Sequence, residues 1–324
     1  MAHGSFSFRK LIALSASMLV VTSAAAQSSY PSKPITLVVG FSAGSSIDLV
    51  ARIIGDKLSK SLGQSVIVEN KAGAGGNIAA GYVARAPKDG YTLLVAANSL
   101  AVSSALYKNL NFDASKDFQA VAYIGISPVD LKVNARLGIN SLDELIKFGK
   151  AHPNKLNYGS SGVGGTPHMA TVLFEQVTGV KMTHIPYKGG GDALSALMGG
   201  QVDVLINPIL GSANTDKIKT LAITGDQRSS LSPNVPTFKE LGYGKYDIGV
   251  YYGIVGPAGM PKDAVDKLNA SVRSILADPS VVSTLTEKQG VVLKAESPQA
   301  FQDYLDRDIQ RWKTIVKETG TSLD

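Results

Sequence analysis

Beyond residue 30 the chain alternates short β-branched runs with stretches whose apolar positions recur every three or four residues. Ile35–Val39 (ITLVV) has the length and composition of a buried strand, with Pro34 before it and Gly40 after it. Residues 47–62 place Ile47, Val50, Ala51, Ile54 and Leu58 on one helical face, with Ser46 as the expected N-cap and Gly63 as the stop. A strand is predicted over 65–69, a helix over 78–86 after the glycine-rich turn 72–77, and another strand over 91–96. Strands separated by helices need parallel crossovers, which gives a layered α/β sheet.

The same style repeats further along. Strands are predicted over 120–126, 156–158, 182–185, 202–206, 220–224 and 246–255. Helices are predicted over 141–151, 167–178 and 192–198. The helix over 167–178 has Thr166 as its expected cap, Pro167 at its first position and Gly179 closing it. Three more helices follow, over Lys262–Leu276, 280–289 and Pro298–Thr319, with no further strand-rich unit, so they must pack on a sheet already built. The pattern predicts two α/β lobes with a C-terminal helical return. A ligand would sit between the lobes, at strand C-terminal ends.

Composition narrows the function classes. The chain has 324 residues, 44% of them apolar and 18% charged, enough apolar content to bury a core. It has no cysteine, which excludes disulfide scaffolds, zinc ribbons, iron–sulfur clusters and thiol catalysis. Arg9 and Lys10, the apolar run 11–21 and Ala24-x-Ala26 form the pattern of an export signal over residues 1–26, with Gln27 as the first mature residue. The apolar run is shorter than the ~20 residues a membrane span needs. Without Arg9 and Lys10 the balance is 30 basic against 26 acidic residues, a net +4. That charge mildly favours small anions, and its scattered cations form no nucleic-acid footprint.

Several glycine-rich loops invite chemical readings. Gly40–Phe41–Ser42–Ala43–Gly44 matches G-x-S-x-G between a strand and a helix, which would make Ser42 the nucleophile of an exported serine hydrolase. That reading lacks partners: no His-Gly oxyanion motif stands among the mature residues before Ser42, 27–41, and no histidine follows His184. Gly159–Thr166 (GSSGVGGT) matches a phosphate-binding loop except that Gly165 stands where the lysine belongs. What remains is a glycine nest feeding a helix N-terminus, which suits an anion such as a carboxylate. Gly73-x-Gly75–Gly76 is half a dinucleotide fingerprint, and tight turning is its simpler role. The histidines show no metal spacing; His184 falls inside a strand and reads as core or hinge. Trp312 reads as a packing residue of the last helix.

Taken together, several blocks resemble the substrate-binding proteins of tripartite tricarboxylate transporters, the Bug family. They are YPSKPITLVVGFSAGSSIDLVAR, GQSVIVENKAGAGGNIAAGYVARAPKDGYTLLVA, KLNYGSSGVGGTPHMATVLFEQVTGVKMTHIPYKGGGDALSALMGGQVDVLI and YYGIVGPAGMPKDAVDKLN. They occur in family order and span nearly the whole mature chain. The first loop departs from the family's PFPPGGGTD and reads GFSAGSSID.

The resemblance implies a two-lobe periplasmic binding protein, a Venus flytrap of the type II-like class, that is not an enzyme and needs no cofactor or metal. It would bind a small carboxylate, a dicarboxylate with an aliphatic or aromatic body, and deliver it as a monomer to a two-subunit membrane permease. A second use of the same module is as a ligand sensor for a signalling receptor. Lobe 1 would comprise residues 27–124 and 247–324, and lobe 2 residues 125–246. Carried over from the family, the ligand contacts are Phe41, Ser42, Ala43, Gly44 and Ser46 in the first loop, and Ser161, Gly164, Gly165, Thr166 and His168 in the glycine loop. The PYKGGG turn adds Tyr187, Lys188, Gly189 and Gly190. Asn98, Ser99 and Asn207 are further candidates at strand ends. Asp48, in the first turn of a helix, reads as a brace for the first loop, since a bare carboxylate would repel an anion.

Overall fold

The strand Ile35–Val39 (β1) is buried at four of its five positions, so it must have neighbours on both sides. It pairs in parallel with Val66–Asn70 (β2) and Thr92–Ala96 (β3). The helices Ser46–Leu62 (α1) and Asn77–Ala84 (α2) make the crossovers. On α1 the residues Ile47, Val50, Ala51, Ile54 and Leu58 are buried, which is the face their spacing marks out. This computed structural model describes residues 30–208 and 215–319, together with Met1; the predicted cleavage site lies outside them.

After β3 comes a short helix, Ser99–Leu106 (α3), which the pattern had not marked. The strand Phe118–Asn134 (β4) then runs for 17 residues, well past the predicted end at 126. Its first part, Phe118 to Pro128, pairs antiparallel with Gly249–Pro257 (β9). From Val129 onward it pairs with Val204–Pro208 (β7), and from Asp130 with Ile218–Ile223 (β8). One strand therefore serves both halves of the molecule. The second half is completed by Asn157–Ser160 (β5) and Thr183–Pro186 (β6), parallel to each other, with β5 also parallel to β7. Its helices are Leu142–Ala151 (α4), Thr166–Thr178 (α5) and Gly190–Met198 (α6).

Among the described residues the strand path is β2-β1-β3-β9-β4-β7-β5-β6. The strand β8 and the two-residue Val292–Leu293 (β10) both pair with β4 off this path. The late helices Lys262–Leu276 (α7) and Pro298–Thr319 (α9) pack on β4; α7 also meets α1, and α9 also meets α3. They thus return to the half built by β1–β3. The segment predicted as one helix over 280–289 is Pro279–Val282 (α8) followed by a wider turn, Ser283–Lys288.

Two caps differ from the sequence expectation by one residue. Ser45, not Ser46, is the N-cap of α1, with extended backbone (φ −69°, ψ 159°). Gly165, not Thr166, is the N-cap of α5 (φ −66°, ψ 156°). Both shifts move a hydroxyl residue: Ser46 and Thr166 become the first helical residues, beside the exposed N–H groups of their helix ends. No described helix is long and apolar enough to cross a membrane.

Candidate functional site

The loops after β1, β5 and β6 approach one another: Gly189 lies against Ser42 and Gly162 against the Tyr187 carbonyl, while Asn207, near the end of β7, lies against Gly190. The loop after β1 is braced from behind. Asp48 on α1 is 1% exposed and accepts from the Gly44 N–H (2.9 Å), Arg52 Nε (2.9 Å) and Asn70 Nδ2 (2.8 Å). Asn70 Nδ2 also donates to the Phe41 carbonyl at 3.1 Å. Burial pushes the Asp48 carboxyl up, but the hydrogen bonds from Arg52, Gly44 and Asn70 outweigh it and hold the group below its ordinary range. The carboxylate is thereby occupied with the loop, as its position in the first turn suggested.

The glycine loop is braced by aromatic stacking. His168 lies 4.3 Å from His184, ring centre to ring centre, and His184 lies 4.8 Å from Tyr158. The Gly164 N–H donates to His168 Nδ1 at 3.2 Å, and His184 Nε2 sits 2.6 Å from Ser160 Oγ. Burial lowers His168 to about 4. Burial, and then the neighbouring His168, lower His184 to about 4. Both rings are neutral at pH 7, so they support the loop rather than supply a cation to it. The Gly165 N–H donates to the Gly162 carbonyl at 3.1 Å and is likewise spent inside the loop.

Between the loops lies a narrow cavity of about 30 Å³. Its polar lining comes from Ser45, Ser46, Ser161, Thr166, Gly190 and Asn207. Its apolar lining comes from Phe41, Ile47, Ala97, Pro167, Pro208 and Val250. No charged side chain is among these described residues. Three helices, α1, α5 and α6, begin at this cavity, so the positive ends of three backbone dipoles converge on it. The Ser45 hydroxyl is buried and has no hydrogen-bond partner among the described residues, although Ser45 occupies the cap position of α1. Asn207 packs against Gly190, and Ser46 hydrogen-bonds the deeply buried Tyr252 hydroxyl, which burial pushes up to about 12.

Of the sequence candidates, Phe41, Ser46, Ser161, Thr166, Gly190 and Asn207 are thus brought together on one cavity. Tyr187 and Lys188 line a wider outer space of about 590 Å³ that Ser161 also borders. Ser42 and Gly189 meet at the rim, while Ala43 and Gly44 are exposed. Asn98 is buried and accepts from the Tyr251 N–H at 3.1 Å; Ser99 lines a neighbouring recess with Phe41. Gly164, Gly165 and His168 are held by the internal hydrogen bonds already described. The sequence did not single out Ser45, Val250 or Asp192. Ser45 could have been found as the residue before the helix, but nothing local marks Val250 or Asp192.

The geometry has close counterparts. Residues 50–321 match the family model of the tripartite tricarboxylate transporter family receptors. This chain belongs to that family. The receptor superposes on the periplasmic binding protein BugD with a TM-score of 0.85 and 31% identity, over 91% of this chain and all of that one. It superposes on Rpa4515 of R. palustris, solved with adipate, with a TM-score of 0.84 and 32% identity, over 91% and 100% of the two chains. It also matches MatC (Rpa3494) from Rhodopseudomonas palustris, solved with bound malate, at a TM-score of 0.81 and 31% identity, over 89% and 100%. The receptor has the two-lobe α/β fold of the periplasmic binding proteins. The family is one of receptors rather than enzymes, and Ser42 accordingly donates its hydroxyl to Asp192, with His168 and His184 committed elsewhere.

Proposed function

We propose that this receptor works in the periplasm as a monomer, closes on a small dicarboxylate and hands it to a two-subunit membrane permease. The observation that carries the reading is the convergence of the α1, α5 and α6 N-termini on one cavity with no charged side chain in its described lining. Ser45 and Ser46 would hold one carboxylate from the first lobe; Ser161, Thr166 and Asn207 would hold the other from the second. Charge-assisted hydrogen bonds contribute about 1.5–3 kcal/mol each. Three or four of them, set against the costs of closure, reach micromolar binding, roughly −8 kcal/mol. The adipate and malate complexes of two family relatives support a carboxylate as ligand.

The lobes on this reading are residues 27–124 with 247–324, and 125–246. The change of pairing on β4 after Pro128 supports a crossing close to that point. Export would remove residues 1–26, so N-terminal sequencing of the secreted chain should begin at Gln27. Calorimetry with matched acids tests the ligand class. A dicarboxylate should bind about 10- to 100-fold more tightly than its half-amide, the value of one charge-assisted contact. Equal affinities, or a preference for a cationic solute, would overturn the dicarboxylate reading.

A further inference from the structure

Behind the cavity the hydroxyls continue as a chain. Ser46, the first residue of α1, lines the cavity. Its side chain hydrogen-bonds the Tyr252 hydroxyl, and that hydroxyl also bonds the side chain of Ser127. Tyr252 is 1% exposed and Ser127 is fully buried, so bulk water does not compete for these bonds. The three residues come from α1, β9 and β4. Ser127 stands two positions before Val129, where β4 leaves β9 and takes β7 as its partner. Its Oγ also reaches two carbonyls, Pro128 at 3.2 Å and Gln289 at 3.5 Å.

Each hydroxyl has one proton to give. With the Ser127 proton on a carbonyl, Tyr252 is free to donate to Ser127. Ser46 then spends its own proton on Tyr252 and turns lone pairs toward the cavity. An anion in the cavity favours the reverse order: Ser46 donates to the anion, Tyr252 to Ser46, and Ser127 to Tyr252. We infer that Ser127, Tyr252 and Ser46 form a hydroxyl relay that turns its protons toward a carboxylate in the cavity, with Tyr252 and Ser127 as positioning residues acting on the ligand through Ser46. The inference rests on the carboxylate reading and extends it to two residues outside the described lining of the cavity. Burial pushes the Tyr252 hydroxyl up to about 12, so at neutral pH the phenol always has its proton to donate. Linked hydrogen bonds polarise one another, and a charged acceptor at one end strengthens the chain. The relay also ties the ligand to the stretch of β4 that joins the two halves of the molecule.

The test is calorimetry on the secreted chain with succinate, malate and adipate, run as double-mutant cycles. Ser46→Ala should weaken the acids that bind by about 10- to 100-fold, the value of one charge-assisted contact. Tyr252→Phe, which keeps the ring, and Ser127→Ala should each weaken them by about 2- to 10-fold. Ser127→Thr keeps the hydroxyl and should bind like wild type. In the Ser46→Ala background neither Tyr252→Phe nor Ser127→Ala should weaken binding further. A merely structural role for Tyr252 would make the losses multiply. Multiplied losses, or an unchanged affinity in Tyr252→Phe, would overturn the relay and leave the carboxylate reading standing. The cycle through Ser127→Ala decides the same question if Tyr252→Phe does not fold. If none of the three acids binds the wild-type chain, the carboxylate reading fails and the relay with it.

Discussion

Ser42, in the loop after β1, donates its hydroxyl to Asp192 Oδ2 on the first turn of α6, 3.2 Å away and 150 positions along the chain. The bond joins the two sides of the cleft at its rim. Gly189, beside Asp192, lies so close to Ser42 that a Cβ there would overlap the Ser42 hydroxyl. On another side of the cleft, a Cβ on Gly75 would overlap the Val163 carbonyl, and the Tyr107 hydroxyl donates to that same carbonyl at 3.3 Å. At Gly75 the approach is to backbone, and at Gly189 it is to the Ser42 side chain; in both places a Cβ would intrude.

Closure should be sensitive to one methyl group. Gly189→Ala is expected to hold the rim open and weaken ligand binding about 10-fold or more, since the closed state must shift Ser42 to form. Ser42→Ala removes the bond but not the fit, and should cost only about 0.5–1.5 kcal/mol. Small-angle scattering with saturating ligand, alongside calorimetry, would separate the two. A Gly189→Ala protein that compacts and binds like wild type would show that this contact does not gate closure.

Stability should depend on pH through the histidine stack. His168 and His184 are lowered to about 4 in the folded protein, against an ordinary value of 6.5. On acidification the unfolded chain takes up these protons first. Stability is therefore full above about 6.5, falls as the pH drops toward about 4, and stops falling there for this pair. Each group contributes a slope of at most ~1.4 kcal/mol per pH unit in that window. His184→Phe keeps a stacking ring and should reduce the slope in urea melts between pH 6 and 4.5. An unchanged slope would assign the acid sensitivity to other groups.

A buried ion pair within β4 gives a third expectation. Lys132 donates to Asp130 Oδ1 within β4, both side chains are at most 3% exposed, and Asp130 Oδ2 has no hydrogen-bond partner among the described residues. Burial pushes the Asp130 carboxyl up, opposed by the Lys132 charge. Lys132→Met should destabilise the protein by about 3–5 kcal/mol, because it leaves a buried acid alone. The double change Asp130→Leu with Lys132→Met should recover most of that loss in denaturant titration. A double variant no more stable than the single one would mean that the pair holds the strand in a way hydrocarbon cannot replace.

The local pattern of residues determined much of this protein by itself. The buried run of β1, the amphipathic face of α1, and Gly63 and Gly179 as helix stops follow from spacing and backbone preference within one segment. The loops at strand ends follow from crossover connections; the family resemblance added Phe41, Ser161 and Thr166 as candidate contacts, and a strand-end position added Asn207. Where local signals conflict or vanish, only the tertiary structure decided. The helix α3 is buried on most of its surface, so it carries no amphipathic stripe to be read. The strand β4 continues past Pro128, Asp130 and Lys132, which look like a strand's end until Val204–Pro208 and Ile218–Ile223 cover them. Ser42 beside Asp192, and Val250 lining the same cavity as Ile47, are meetings of distant segments. Side-chain periodicity says which face is buried; it does not say what buries it, because that depends on loop closures and sheet order over more than a hundred residues.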